Sequence, residues 1–434
     1  MKQVVVVILV LTMIPGIALS RSTNEVEALK VLVMEQQKTI NELRTLVRKQ
    51  DERIQFILAK VETIEVEQDE VETELTESAE SKSIPGWIEN VKLGGDFRLR
   101  YENINDDDKD DDRNRGRIRA RLKVDAEVND QIDLHFRLAS GSDDPVSTNQ
   151  TLDEAFTSKS IWLDHAYFDY HPEGLEGLNL WGGKMKNPYF TPGGSDLIWD
   201  SDISPEGAAI KFNKDFDPVI FFANTGGFYI EERSSDADSA LFGIQAGLKY
   251  DFEEQDAYLL GGAGYYYFTQ TKGYNCFYDS ENSFGNSAIP ESVGSSALVY
   301  LDEYHLFELF AELGLTVADT PVSLYADFVK NTGADNNEDT GWLVGFKINK
   351  CSTPGSWELG YNYRELEKDA VIGAFTDADF VGGGTDGKGH KICAGYQISN
   401  DWKAAASYIF SEQGLDNDEN RDYRRLQLDL NYKF

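Results

Sequence analysis

From Val91 onward the apolar residues fall on every second position. Val91, Leu93, Gly95, Phe97, Leu99 and Tyr101 alternate with Lys92, Gly94, Asp96, Arg98, Arg100 and Glu102. Ile118, Ala120, Leu122, Val124, Ala126 and Val128 then alternate with Arg117, Arg119, Arg121, Lys123, Asp125 and Glu127. A period of two means strands with one apolar and one wet face. About sixteen such runs are read, near 91–102, 115–128, 131–140, 159–170, 177–187, 205–213, 217–228 and 238–252, then 256–270, 303–318, 321–331, 340–349, 355–366, 389–398, 401–411 and 422–434. Their connections alternate between long and short. NINDDDKDDD and EERSSDAD are long; Asn129-Asp130, KDFD and SNDW are short. That rhythm belongs to an antiparallel up-and-down β-barrel, and outer-membrane barrels have even strand numbers, short periplasmic turns and long outside loops. A large soluble β protein also alternates its faces. Here, however, nearly every apolar face is backed by a charged one, which a closed dry core would not tolerate.

Ahead of the barrel the period is 3.5. Val26, Val33, Ile40, Val47, Ile54, Val61, Gln68 and Leu75 form one seam, and Leu29, Gln36, Leu43, Gln50, Ile57, Ile64 and Val71 the other. A strict heptad of this length, free of Gly and Pro, predicts a left-handed α-helical coiled coil about 75 Å long. Branched residues at both seam positions in its C-terminal half favour three strands over two. The segment before it reads as a targeting peptide. Lys2 precedes an apolar core over 4–14, and Pro15-Gly16 and Ala18-Leu19-Ser20 follow with the form of a cleavage site. The organisation expected is thus a signal peptide over 1–20, a coiled coil over 21–80, a linker over 81–90 containing Pro85-Gly86, and a barrel over 91–434.

Charge narrows the function. The formal net charge is −35 and the mean hydropathy is −0.44. A nucleic-acid partner is excluded, because such binding needs a basic face. No apolar run reaches the length of a membrane-spanning helix. Cys276, Cys351 and Cys393 are too few and too scattered for a disulfide framework, and one pair is left open. His135, His165, His171, His305 and His390 form no HExxH motif, and no GxSxG is present. No cofactor or metal motif emerges. The run from Asp106 to Asp112 fails as an EF-hand, with Asp111 and Arg117 where Gly and Glu are required; a solvated charge run is the simpler reading.

The signal peptide, the coiled coil, the terminal aromatic strand and the segment GLNLWGGKMKNPYFTPGGSDLIWDSDISPEGAAIKF (177–212) resemble the putative porins of Gram-negative outer membranes. The resemblance spans roughly 84–434. It implies a 16-stranded barrel, commonly trimeric, that sits in outer-membrane lipid and admits small hydrophilic solutes. It also implies that the terminal strand, with Tyr432 and Phe434, carries the signal read by the barrel-assembly machinery. In general porins the third outside loop folds into the lumen. By that likeness Asp196, Trp199, Asp200 and Asp202 are expected at a constriction.

The wet faces of the first three strands carry Arg98, Arg100, Arg115, Arg117, Arg119, Arg121, Lys123 and Arg137. So many like charges need water or carboxylates. They are expected either to line a water-filled lumen as a basic wall or to pair with Asp96, Asp125, Glu127 and Asp133 as scaffolding. Anion or cation preference is left open. Two other functions are weighed against a diffusion pore. One is a structural tether whose rod reaches the cell wall and binds peptidoglycan from the periplasm. The other is a barrel hydrolase, with His390 as the candidate base.

Overall fold

The computed structural model describes residues 90–415 and 420–434, with residues 30, 31, 34, 35, 37, 38, 41, 44–50 and 53–55 of the N-terminal unit. The described N-terminal residues are helical and exposed, including the seam positions Val47, Gln50 and Ile54. The expected signal peptide over 1–20, the other seam residues and the linker up to residue 89 lie outside the described residues.

The C-terminal unit is a closed antiparallel barrel of sixteen long strands. They are β1 Val91–Asp106, β2 Arg113–Asn129, β3 Ile132–Ser140, β4 Ile161–Tyr170, β5 Leu178–Lys184, β6 Glu206–Asp215, β7 Val219–Glu231 and β8 Ser239–Phe252. Then follow β9 Ala257–Phe268, β10 His305–Val317, β11 Thr320–Asn331, β12 Thr340–Ile348, β13 Trp357–Leu366, β14 Gly387–Gln397, β15 Trp402–Gln413 and β16 Arg421–Lys433. Each pairs with its sequence neighbours, and β1 pairs with both β2 and β16. Closure removes every edge, the condition for strands in a bilayer. All sixteen runs expected from the alternation correspond to one of these strands. The main differences lie at ends. β1 extends four residues beyond its expected end, because Asn103–Asp106 pair with Leu426, Arg425, Arg424 and Tyr423 of β16.

The seam closes at the chain terminus. Gly95 N–H donates to Phe434 O at 3.0 Å, and Phe434 N–H returns to Gly95 O at 3.2 Å. The position needs glycine: a Cβ there would lie 2.3 Å from the Arg121 carbonyl oxygen and 2.7 Å from the Phe434 ring. Tyr432 stacks on Phe434 and packs at a tilt against Trp402, with centroids 6.0 and 4.9 Å away. Such rings suit a membrane interface, where one edge is apolar and the other wet. Leu93, Phe97, Leu99 and Tyr101 of β1 and Leu428 of β16 are exposed on the outer face.

The long connections are loops 1 to 8, over 107–112, 141–160, 185–205, 232–238, 269–304, 332–339, 367–386 and 414–420. Loops 3, 5 and 7 are drawn inward. They build a dry core on one side of the lumen from Tyr189, Leu197, Ile198 and Trp199 of loop 3, Phe277, Tyr300 and Tyr304 of loop 5, and Val371 and Ile372 of loop 7. Polar bonds lock the loops together. Asn286 Nδ2 donates to the carbonyls of Lys368 and Val371, both at 2.8 Å, and Tyr304 donates to Asp369 at 2.8 Å.

Candidate functional site: the lumen constriction

The site is built on two facing surfaces. One is the wet wall of β1 and β2. Register sets its rungs: Asp96 faces Arg121, Arg98 faces Arg119, Arg100 faces Arg117 and Glu102 faces Arg115. Two charge-matched rungs therefore bracket two that oppose arginine to arginine. The other surface is loop 3 together with loop 7.

Loop 3 is held on the opposite wall. Gln245 on β8 accepts from the Phe190 amide at 2.7 Å and donates to its carbonyl at 2.8 Å. Glu312 on β10 accepts from the Gly193 amide at 2.7 Å. Gly193 has φ +60 and lies over the Tyr325 ring, where a Cβ would approach to 2.5 Å. Trp199, expected at the constriction, is buried among Tyr189, Tyr266 and Phe268 instead. It anchors the loop. The three aspartates that flank it face the opening.

Loop 7 completes the surface. The Asp200 amide donates to Phe375 O at 2.8 Å, Thr376 Oγ1 to Leu197 O at 2.8 Å, and the Ala378 amide to Asp200 Oδ2 at 3.1 Å. Arg364 on β13 binds Asp377, and Lys391 on β14 reaches Asp377 at 3.1 Å. Asp379 spans to the basic wall, meeting Arg425 at 2.7 Å, Arg100 at 3.4 Å and Gln427 at 2.9 Å.

Between the surfaces lies a cavity of about 260 Å³. Arg98, Arg100, Arg119 and Lys391 line it against Asp196, Asp200, Asp202, Asp377, Asp379, Asp429 and Glu358. A second cavity of about 330 Å³ lies toward loop 1, lined by Asp106, Arg113, Arg115, Arg117, Asp144 and Arg425 among others. Ser147, Ala378 and Asp379 border both. Burial and the adjacent Asp377 push the Asp196 carboxyl up to about 7. Burial also raises Asp200, with Asp196 and Asp377 adding to it. Asp202 is only slightly more exposed, yet Arg119 and Arg121 hold it below the usual carboxylate range.

The expected wall residues divide into groups. Arg98, Arg100 and Arg119 line the inner cavity, and Arg115 and Arg117 the outer one. Arg121 bridges Asp96 at 2.7 Å and Asp202 at 3.3 Å. Lys123 and Arg137 border neither cavity; they pair with Asp125 and Asp164. Pairing thus engages much of the wall: Asp96 and Asp125 take part as expected, Glu127 pairs with Lys92 instead, and further acids join them. Asp96 serves two arginines, while Glu102, Asp379 and Asp429 do most of the rest. Sequence reasoning missed Asp377 and Asp379, because nothing in a long loop announces that it turns inward. Lys391, Arg425 and Asp429 were legible from the alternation of their strands.

His390 meets rings rather than a Ser or Asp. It bonds Tyr361 Oη at 2.8 Å and stacks on Phe410 with centroids 4.5 Å apart. Within the Asp-rich run, Asp106 and Asp108 pair with Arg421, and Asp112 accepts from Asn105. Among the described residues no group of three His, Cys, Asp or Glu side chains gathers as metal ligands. The three cysteines are free thiols.

A sequence profile of the family described as putative porin matches residues 104–291 and 285–434. No curated protein sequence matches the chain. Similar solved structures include OprB of Pseudomonas putida at high pH, with TM-score 0.54 and 14% identity over 82% of this chain and 97% of that one. OmpF of Salmonella typhi in complex with daunomycin gives TM-score 0.48 at 12% identity, over 79% and 97%. The outer membrane channel DcaP of Acinetobacter baumannii gives 0.45 at 13%, over 79% and 97%. The likeness to OprB is one of fold.

Proposed function

The chain belongs to the putative porin family, and from that premise we propose that it forms a water-filled outer-membrane channel for passive diffusion of ions and small hydrophilic solutes. The observation that carries this reading is the pair of oppositely charged surfaces facing across the inner cavity within a closed barrel. Charges fixed on two sides of a narrow aqueous passage act on solutes without large desolvation, since water remains between them. Arg98, Arg100, Arg115, Arg117, Arg119 and Arg121 supply the basic wall. Asp196, Asp200 and Asp202 supply the acidic side with Asp377 and Asp379. Lys123 and Arg137 extend the wall away from the constriction.

An even strand number returns the chain to its starting side, so both barrel ends are assigned to the periplasm, together with the N-terminal helical segment. Tyr432 and Phe434, at the closing seam, are assigned as the signal for the assembly machinery. We assign a homotrimer embedded in outer-membrane lipid, with peptidoglycan as the partner of a periplasmic helical segment.

The test is conductance in a planar bilayer with purified full-length protein. Stable, ohmic steps in potassium chloride are expected. A barrel that inserts and gives no steps would overturn the channel reading and favour a tether. Sedimentation in mild detergent tests the trimer, and a monomer would contradict it.

A further inference from the structure

Six of the eight wall cations are tied to carboxylates. Arg100 meets Asp429 at 2.7 Å, Arg119 and Arg121 meet Asp96 at 2.8 and 2.7 Å, Lys123 meets Asp125 at 2.6 Å, and Arg115 and Arg137 bind Glu102 and Asp164. Arg98 and Arg117 are different. Their nearest carboxylates stand at 4.0 Å (Asp429) and 3.8 Å (Glu102). Glu102 is already engaged by Arg115 and Arg425.

Both arginines instead donate to neutral oxygens of loop 2. Arg98 donates to Asn149 Oδ1, and Arg117 to Asn149 O at 3.1 Å and Ser147 Oγ at 3.4 Å. The Nε–H of each is buried without an acceptor. They occupy the two Arg–Arg rungs, one on each strand and diagonal to one another on the same face. Diagonal neighbours on a sheet stand about 7–8 Å apart. Arg98 lines the inner cavity, Arg117 the outer one, and Ser147 borders both.

Like charges facing across a strand pair destabilise it. A guanidinium tied to a carboxylate must give up a charge-assisted bond before it can hold a solute. One resting on an amide or hydroxyl oxygen exchanges a weaker partner for a stronger one, and its planar fork matches an oxyanion. We propose that Arg98 and Arg117, with Ser147 between the cavities, form an oxyanion-binding step that passes small carboxylate or phosphate solutes from the outer cavity to the inner one. The assignment rests on the channel reading, and it names the solute class that reading leaves open.

Two readouts test it. In bilayers, inorganic phosphate or acetate added to a chloride solution should reduce the wild-type current. The double variant Arg98→Gln, Arg117→Gln should still conduct chloride, with half-blocking concentrations raised about tenfold to a hundredfold, as loss of a charge-assisted bond implies. Lys214→Gln, in an exposed pair with Glu176 and away from both cavities, should leave block unchanged. Block by both anions supports a general oxyanion step, and block by one assigns the class. The second readout needs no conduction: NMR line broadening of phosphate and of acetate by detergent-solubilised protein should be lost in the double variant. Heat-modifiable gel mobility checks that its barrel is closed. Equal block or equal broadening in wild type and double variant would overturn the proposal, as would a wild type indifferent to both anions. A wild type without conductance that still broadens the anion signals would refute the channel and leave the site standing.

Discussion

Asp379 is the residue on which the constriction is most exposed to a single change. Its neighbour Ala378 is bonded to Asp200 of loop 3, while its own carboxylate takes Arg425, Arg100 and Gln427 from the wall. Loop 7 is thereby tied to both surfaces at the point where the two cavities meet. Replacing Asp379 with Asn keeps the shape and removes the charge. The Arg425 side chain is only 3% exposed, and its remaining carboxylate, Glu102, is shared with Arg100, Arg115 and Arg117. Removing one partner of a buried ion pair costs about 3–5 kcal/mol, and Glu102 places this case at the lower end. About 3 kcal/mol raises the population of untied loop 7 roughly a hundredfold. Single-channel recording at neutral pH should show wild-type steps at one steady level, and D379N steps with added excursions to a larger one as the cavities merge. Heat-modifiable mobility should be unchanged, because the strand ladder is untouched. A D379N channel with wild-type conductance and noise would refute the reasoning that this contact sets the opening.

Asp196 should give the channel a pH dependence. Its carboxyl is raised to about 7 from 3.8, so the aperture gains a negative charge as pH rises through neutrality, and reversal potential should move toward cations there. The same shift means the folded state holds a proton that the unfolded chain releases, so Asp196 costs stability progressively as pH rises from about 4 to 7; Asp196→Asn should flatten both trends. Replacing Arg117, Arg119 and Arg121 with Gln should shift reversal potential toward cations at low salt. The shift should fade beyond 0.1 M, where the Debye length is about 10 Å, and its absence at low salt would make the ladder scaffolding. A protease site inserted at Asp335-Asn336 should be cut on intact cells and one at Asn129-Asp130 spared; the reverse pattern would invert the topology.

The barrel was legible because its physics is local. A strand with lipid on one side and water on the other must alternate, and the alternation of β1 or β16 can be counted without knowing any partner. Closure also followed, since an even set of hairpins with a bare edge would not survive in hydrocarbon. The constriction was less legible, for a reason visible in Trp199. A large aromatic in a loop with three aspartates signals that the loop is ordered, and says nothing of which side chains turn toward water. The burial of Trp199 against Tyr189 and Tyr266 is decided by β9, distant in sequence. Loop 7 gave even less. Its inward path depends on Asn286 of loop 5 and Arg364 of β13, long-range contacts with no periodic trace.

The choice between a functional wall and a scaffold, undecided by composition, sharpens when the rungs are read one by one. Scaffolding alone would oppose charges, as Asp96–Arg121 and Glu102–Arg115 do. The two rungs between them oppose arginine to arginine, at a cost of up to about 1 kcal/mol each relative to a matched pair. Substituting one acid on each rung would remove that cost without altering the fold. Part of it is offset from outside the strand pair, where Asp379 of loop 7 and Asp429 of β16 reach Arg100. Arg98 and Arg117 receive no comparable partner, and they sit where the cavities meet the wall. On the β1–β2 ladder the like-charge rungs face open volume, with matched pairs above and below them; on the β2–β3 ladder Lys123 also faces Arg137, away from both cavities, and there each cation has its own carboxylate. A stability role would give every such cation its own carboxylate, as it does for Lys123 and Arg137; a role in holding passing anions leaves Arg98 and Arg117 without one where the cavities meet the wall.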